Sequence, residues 1–547
     1  MAVEAAVRPD TSSAASASSS PPPSTLSELR HVLPLGIQQS VLKLASFFPR
    51  IILMMMVGHL ENGPLLLAGV GMGSMYNNVC GQSFVIASSF GATSLLSQAY
   101  GAKNYPRVGM ILQRIMLIHL AILFLLILPL GLFVEPLLLS CGQPPEIAAL
   151  VKRFVWLRLP AIPFVILSTD LTAFLAAQGI ARTPMVINLI AAILTFLLSC
   201  ILVRDDTIGY DGAAISLSAG EAFGGLAMLL ATPRSLPRHG RASTWPVWSL
   251  RDALAGWGEM LLLAAPSALL VMSEWAGWET SVLMAGWLCG PTSEASLPPT
   301  NASSTSSLIE SSCVALEAFP ILSQTMVVAF LMHFGFSVAC GNRVGNLLGE
   351  GEPQRARTCA LATFAFVMSF VTLICTVLIS LRSVWAALFL GDTEEDASSF
   401  AVSQAVATVL PIVAAYIWLD TIGPAWLHQI IFGIGRLRYP AVNNFLLFFC
   451  SAMPLSYFLA FKLGWGLAGL WFGLVCGMAM LDFGNACYVW GYLDWSLIAE
   501  EARKRALDGS VIGSSSSQHE WGTAPPAEGD RVGLAAADSA AARHAQM

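Results

Sequence analysis

The chain of 547 residues is 55% hydrophobic and only 11% charged, with a mean hydropathy of +0.68. A water-soluble domain carries roughly 25% charged residues, so this composition excludes an ordinary soluble protein and points to burial in lipid. No basic patch accompanies the net charge of −6, which excludes a nucleic-acid partner, and eleven scattered cysteines without a CxxC pair argue against zinc or iron–sulfur ligation.

From Met1 to about Ser27 the chain is rich in Ser, Ala and Pro and lacks the apolar core of a secretory signal. Residues 1–30 are therefore expected to form a disordered cytoplasmic tail. Twelve apolar runs follow, near 33–57, 66–97, 109–134, 146–176, 184–203, 212–232, 253–289, 312–340, 358–390, 400–432, 440–461 and 466–490. Each is long enough to span, since a hydrocarbon core about 30 Å thick needs about 20 helical residues. Residues 496–547 are polar again and read as a second cytoplasmic tail.

The loops support this count. With the amino terminus inside, the inner loops hold Lys103, Arg107, Arg182, Arg234, Arg251, Arg343, Arg355 and Arg436, while Glu61, Glu135, Asp205, Asp211 and Glu394 fall outside. That is the positive-inside pattern, with both termini cytoplasmic. It leaves open whether the membrane is the plasma or the vacuolar one. The longest outer loop, 290–311, contains the sequon Asn301-Ala302-Ser303. Cys289 and Cys313 flank it and are candidates to pair.

An internal repeat is visible. Gln178-Gly179-Ile180-Ala181-Arg182-Thr183-Pro184 before the fifth run resembles Gly433-Ile434-Gly435-Arg436-Leu437-Arg438-Tyr439-Pro440 before the eleventh, and Asn188 then matches Asn444. Gln98-Ala99-Tyr100-Gly101 ends the second run as Asn346-Leu347-Leu348-Gly349 ends the eighth. The expected fold is all-α, a polytopic membrane protein of twelve transmembrane helices in two pseudo-symmetric six-helix lobes, 31–240 and 241–495. Two such halves are typical of transporters that rock one half against the other.

Several motifs carry a resemblance. Met55-Met56-Val57-Gly58-His59-Leu60, Ser97-Gln98-Ala99-Tyr100-Gly101-Ala102, Cys141-Gly142-Gln143-Pro144-Pro145-Glu146, Ala264-Ala265-Pro266-Ser267-Ala268 with Glu274-Trp275 and Glu279, and Arg343-Val344-Gly345-Asn346 occur in that order. Over about 33–490 the chain resembles the multidrug and toxic compound extrusion (MATE) family, its eukaryotic, plant- and algal-like branch above all. It departs at Phe432-Gly433-Ile434-Gly435, where the family carries Arg-Gly-x-Gly, and at Gln324, where animal members carry Glu. The resemblance implies a secondary antiporter that exports small organic compounds, cations first, in exchange for protons rather than sodium. It implies that the positions of Glu274 and Glu279 bind protons and cationic substrate.

The residues give their own reason. An ionisable group inside a span costs about 2.5–3.5 kcal/mol on insertion scales, so its default reading is functional. Glu274 and Glu279 sit five apart on the seventh span, about 140° around a helix axis, and need not share a face. Pro266 is expected to bend that helix. Asp420 in the tenth span and Gln324 in the eighth are further candidates, with Asn77 and Asn78 in the second and Gln38 or Gln39 in the first. A proton and a cationic substrate competing for one buried carboxylate would make antiport.

Three other readings compete. A lipid or oligosaccharide flippase of two-lobed architecture predicts a large cationic cavity, and an organic-anion transporter is a further alternative. A membrane-embedded enzyme would need an HExxH, paired membrane Asp or a Ser/His cluster, none of which the sequence shows. No Walker motif supports a nucleotide-driven pump. No cofactor is expected; the partners are a small organic substrate, protons and the bilayer.

Overall fold

A computed structural model of the protein describes residues 24–205, 208–237, 243–288, 305–386 and 397–517. The sequon at Asn301, Cys289 of the candidate Cys289–Cys313 pair and the outermost tail residues lie outside them. Among the described residues there is no β-strand, and twelve helices are long and apolar enough to cross a membrane. In chain order these are α1 (Thr25–Gly58), α2 (Leu65–Gly101), α3 (Tyr105–Leu132), α4 (Pro145–Ala177), α5 (Arg182–Leu202), α6 (Tyr210–Ser235), α7 (Trp257–Trp287), α8 (Glu317–Glu350), α9 (Pro353–Ser380), α10 (Phe400–Ile434), α11 (Arg438–Lys462) and α12 (Gly466–Tyr492). A further helix, α13 (Trp495–Ser517), follows.

The described residues to Ala506 pack as one compact body, and a second unit begins at Leu507. Lipid-facing surfaces invert the rule for soluble helices. On α5, Leu189, Ile193, Leu197 and Ile201 recur at helical spacing and are exposed, while Ile187, Thr195 and Ser199 are buried. Thr195 and Ser199 return hydrogen bonds to Ala191 O and Thr195 O, and Ser199 Oγ bonds Ser216 on α6 at 2.9 Å. The polar stripe thus laces helices together and the apolar stripe meets lipid.

Two expectations change at the ends. Ser24 caps α1, its side chain accepting from Ser27 N at 3.1 Å, so residues 25–30 are helical rather than tail, and Glu28 is buried there. Residues 496–517 are helical too. Ile498, Ala499, Ala502 and Ala506 present one narrow apolar face to the core and are buried.

The first six and last six helices meet through α1 and α2 against α7 and α8. The contact is tightest at the end of the bundle that carries the basic loops. A Cβ on Gly101 would overlap the backbone of Asn346, so only glycine allows α2 and α8 to come this close. Gln98 Nε2 donates to Gly433 O at 2.9 Å. Phe90 stacks on Phe432 with centroids 4.8 Å apart and rings 5° from parallel, so the residue standing where the family has arginine serves as an aromatic seam between the halves. Buried Glu28 on α1 bridges Arg343 at 3.1 Å and Arg355 at 2.8 Å, and Arg107 grips both oxygens of Glu259 at 2.9 and 3.0 Å.

Candidate functional site

The acid cluster of the second half begins with a proline. Pro424 lacks an amide hydrogen and its ring opposes the carbonyl four residues back, which is that of Asp420. The helix responds with a widened turn over Thr421–Leu427, starting directly after Asp420. This turn presses Gly423 against Asp482 of α12 and delivers His428 into the helix core.

His428 is 1% exposed, and its Nδ1 lies 2.8 Å from Glu274 Oε1 on α7, although not aligned as a hydrogen bond. Its other nitrogen fixes the tautomer. Asn443 Nδ2 donates to Asn485 Oδ1 at 3.1 Å, which turns Asn485 Nδ2 toward His428 Nε2 at 3.2 Å. An Nε2 that accepts leaves the neutral ring's proton on Nδ1, facing the carboxylate. Asn444 donates to Leu270 O at 2.8 Å and to Glu274 Oε1 at 3.3 Å. Four helices, α7, α10, α11 and α12, therefore converge on one carboxyl. Asp420 and Asp482, 6% and 5% exposed, lie close enough to interact electrostatically with Glu274 and with each other respectively, and both oxygens of Asp482 are without a hydrogen-bond partner. A buried carboxyl left unsatisfied marks a place for a proton or a ligand.

The other sequence candidates separate. Glu279 is half-buried and shows no ion pair among the described residues. Gln324 does not reach the acid cluster. It lines a cavity of about 160 Å³ with Asn77, Asn78, Arg50 and Arg158 of the first half, and its Oε1, like Asn77 Nδ2, lacks a partner. Gln38 is half-buried, whereas its neighbour Gln39 is buried and lines the largest cavity.

That cavity, about 280 Å³, lies in the first half among α1, α2, α4, α5 and α6. It is lined by Lys43 and Arg50 on α1, with Glu221, Asn188, Thr172 and Thr195 around them. The sequence reading passed over both bases, although the rule that selected Glu274, an ionisable residue inside a span, applies equally to them. Glu221 is held by buried Arg158 at 2.8 Å and lies 3.7 Å from Arg50. A Ser/His/Asp arrangement does exist: His119 Nδ1 meets Asp170 Oδ1 at 2.8 Å and Nε2 meets Ser88 Oγ at 2.7 Å. The pair His119–Asp170 has no exposed side-chain surface, so no substrate reaches it, and it ties α2, α3 and α4 together. Trp278, Phe319, Tyr416 and Trp471 pack as one aromatic knot with centroids 5.6–6.3 Å apart. Among the described residues no three His, Cys, Asp or Glu side chains converge as a metal site.

Comparison with known proteins places this architecture. The MatE family model matches residues 41–201 and 301–458. Multidrug and toxin extrusion protein 2 of Mus musculus is 28% identical over 469 residues, 85% of this chain and 74% of the relative. Multidrug and toxin extrusion protein 1 of Xenopus tropicalis is 29% identical over 486 residues, 88% and 77%. Protein DETOXIFICATION 16 of Arabidopsis thaliana is 28% identical over 472 residues, 86% and 89%. The eukaryotic MATE transporter AtDTX14 shares the fold, with a TM-score of 0.74 at 22% identity over 88% of this chain and 99% of that one. A MOP superfamily transporter from Pyrococcus furiosus gives 0.71 at 15% identity, over 86% and 96%. With the fold, the twelve spans and the family model in agreement, the chain belongs to the MatE family of multidrug and toxic compound extrusion transporters.

Proposed function

We propose that the chain is a proton-coupled antiporter that exports small organic compounds, cations first, with Glu274 as the shared proton and cation site. The observation that carries the reading is the contact of Glu274 Oε1 with His428 Nδ1 at 2.8 Å inside the second half, with Asp420 near Glu274 and Asp482 near Asp420. A carboxylate removed from water is costly unless a positive charge offsets it. A proton on the Glu274–His428 pair supplies that charge, and an organic cation can supply it instead. Because the two exclude each other, binding of one releases the other, and a conformational change that exposes the site to each side in turn makes the exchange an antiport.

The halves are pinned together at the basic end by Glu28 with Arg343 and Arg355 and by Gln98 with Gly433. With that end taken to face the cytoplasm, on the bias of the loop charges, this is the state closed to the inside. Lobe boundaries near 240 and 495 then divide the two moving bodies.

The test is accumulation of a fluorescent organic cation in sealed vesicles under an imposed pH gradient, for wild type and Glu274→Gln. Gradient-dependent accumulation in wild type, lost in the variant, is expected. Equal accumulation in both would remove Glu274 from the mechanism. Accumulation driven by sodium but not by protons would replace the coupling ion.

A further inference from the structure

Three cavities follow one another along α1. Going away from the basic end, His31, Leu35 and Gln39 line one of about 230 Å³. Gln39, Lys43, Ser46 and Arg50 line the next, of about 280 Å³, and Arg50 and Met54 line the last, of about 160 Å³. These positions recur every three or four residues, which sets them on one face of the helix. From His31 to Met54 the helix rises about 35 Å, enough to cross a hydrocarbon core about 30 Å thick. The three cavities are therefore one route through the membrane, interrupted where neighbouring cavities share a wall. The first two share Gln39 of α1, Ala176 of α4 and Asn342 of α8. Gln39 and Asn342 come from opposite halves and are 3% and 5% exposed.

We propose that Gln39 and Asn342 are the inner gate of the transport route: their side chains bar the middle cavity from the basic end in this state, and parting of the halves opens it. The hydrogen bonding of Asn342 suits a gate. Its Nδ2 donates to Val338 O of its own helix at 3.0 Å, and its Oδ1 has no partner. Gln98, by contrast, donates across the seam to Gly433 O at 2.9 Å and so ties the halves. The wall at Asn342 thus gives way without breaking a bond of that side chain between halves, and a buried oxygen left unpaired gains a partner when water or a solute passes. A wall of two amides also admits polar solutes that would have to shed their water against an apolar plug. The ion pair of Arg343 with Glu28 stands at the first cavity, which Arg343 lines, so clamp and gate are two barriers in series. This assignment rests on the reading of the chain as an alternating-access exporter, and adds to it the side chains that close the inner side.

The experiment is sided labelling of a thiol placed in the middle cavity by Ser46→Cys, in the full-length protein in sealed vesicles of known orientation. The probe is the membrane-impermeant reagent 2-(trimethylammonium)ethyl methanethiosulfonate, and modification at residue 46 is read by peptide mass spectrometry. Labelling from the basic end is expected to be slow in the Ser46→Cys protein. Adding Gln39→Ala with Asn342→Ala should raise that rate by about tenfold or more and leave the rate from the acidic end within about twofold. His31→Ala, which alters the first cavity but not the wall, should leave both rates within about twofold. An unchanged rate from the basic end in the double variant overturns the proposal. So does a rise from both ends alike, which marks a loosened fold, an equal rise in His31→Ala, or labelling of the Ser46→Cys protein as fast from the basic end as from the acidic one. No pH gradient is applied, so failure of proton coupling at Glu274 leaves this readout standing, and failure here leaves the Glu274 experiment standing.

Discussion

The two halves of this transporter handle buried charge in opposite ways. In the first, every carboxyl in or beside the cavity is already matched: Glu221 by Arg158 and Arg50, and Asp170 by His119. What remains over is positive, on Lys43. In the second, Glu274 meets His428, Asp420 lies near Glu274 and Asp482 near Asp420, with no arginine or lysine paired to any of them, so what remains over is acidic. Residual charge, rather than the presence of a charged residue, separates groups that can exchange a ligand from groups that hold the fold. A salt bridge already closed inside the membrane has nothing to trade.

Removing one acid from each half tests that contrast. Glu274→Gln is expected to reduce gradient-driven cation accumulation to the level of empty vesicles while the protein still folds, because an amide can replace the carboxyl's contact with Asn444 but cannot take a proton. Glu221→Gln should do the reverse. It strips the partner from Arg158, whose side chain is 4% exposed, and an uncompensated buried charge costs about 3–5 kcal/mol. The folded yield and thermal midpoint should fall steeply, and the protein that does fold should keep its dependence on the pH gradient. If Glu221→Gln is stable but uncoupled, the first half holds the proton as well and the contrast fails.

A smaller effect comes from the clamp at the basic end. Glu28→Gln leaves Arg343 and Arg355 without their common partner, at a cost of about 1–3 kcal/mol because both guanidiniums are partly exposed. That cost falls on the state closed at this end, since the three residues meet only when α1 and α8 are together. Spin labels across that end should show the ratio of open to closed rise by about fivefold or more. An unchanged distance distribution would mean that the glycine contacts of α2 with α8, not the ion pairs, hold this end shut.

The sequence made the architecture legible because lipid writes it in lengths and charges. Twelve apolar runs, basic loops on one side and acidic loops on the other were enough to place twelve helices, with ends displaced where a cap or buried face decided them. Ser24 and Glu28 extended α1 backward, and the apolar face of Ile498 to Ala506 turned an expected tail into helix. The site was only half legible. Glu274 and Asp420 stood out as acids in spans, but the contact of Glu274 with His428, held in turn by Asn485, depends on the widened turn after Asp420, which no periodicity announces. Gln324 has the right depth and the wrong neighbours, because its cavity belongs to Asn77 and Asn78 rather than to Glu274. Lys43 and Arg50 were legible by the same rule, since each is an ionisable residue inside the first span.

The smallest effect concerns how the halves are tied outside the membrane. Asn104 caps α3, accepting from Arg107 N at 3.4 Å, and its Nδ2 donates to Ala506 O of α13 at 2.8 Å. Toward the other half, Arg505 of α13 donates to Ile434 O of α10 at 3.3 Å, and Glu501 of α13 pairs with Arg436. Helix α13 is therefore fastened to both halves, by one amide on the first and by charged groups on the second. Asn104→Ala should cost about 1–2 kcal/mol through the lost cap and tie, and should speed hydrogen exchange over residues 498–506 while leaving the acid cluster untouched. If exchange in that stretch does not change, α13 rides with the second half alone, and the polarity that distinguishes the cavities extends to how each half holds the chain's last helix.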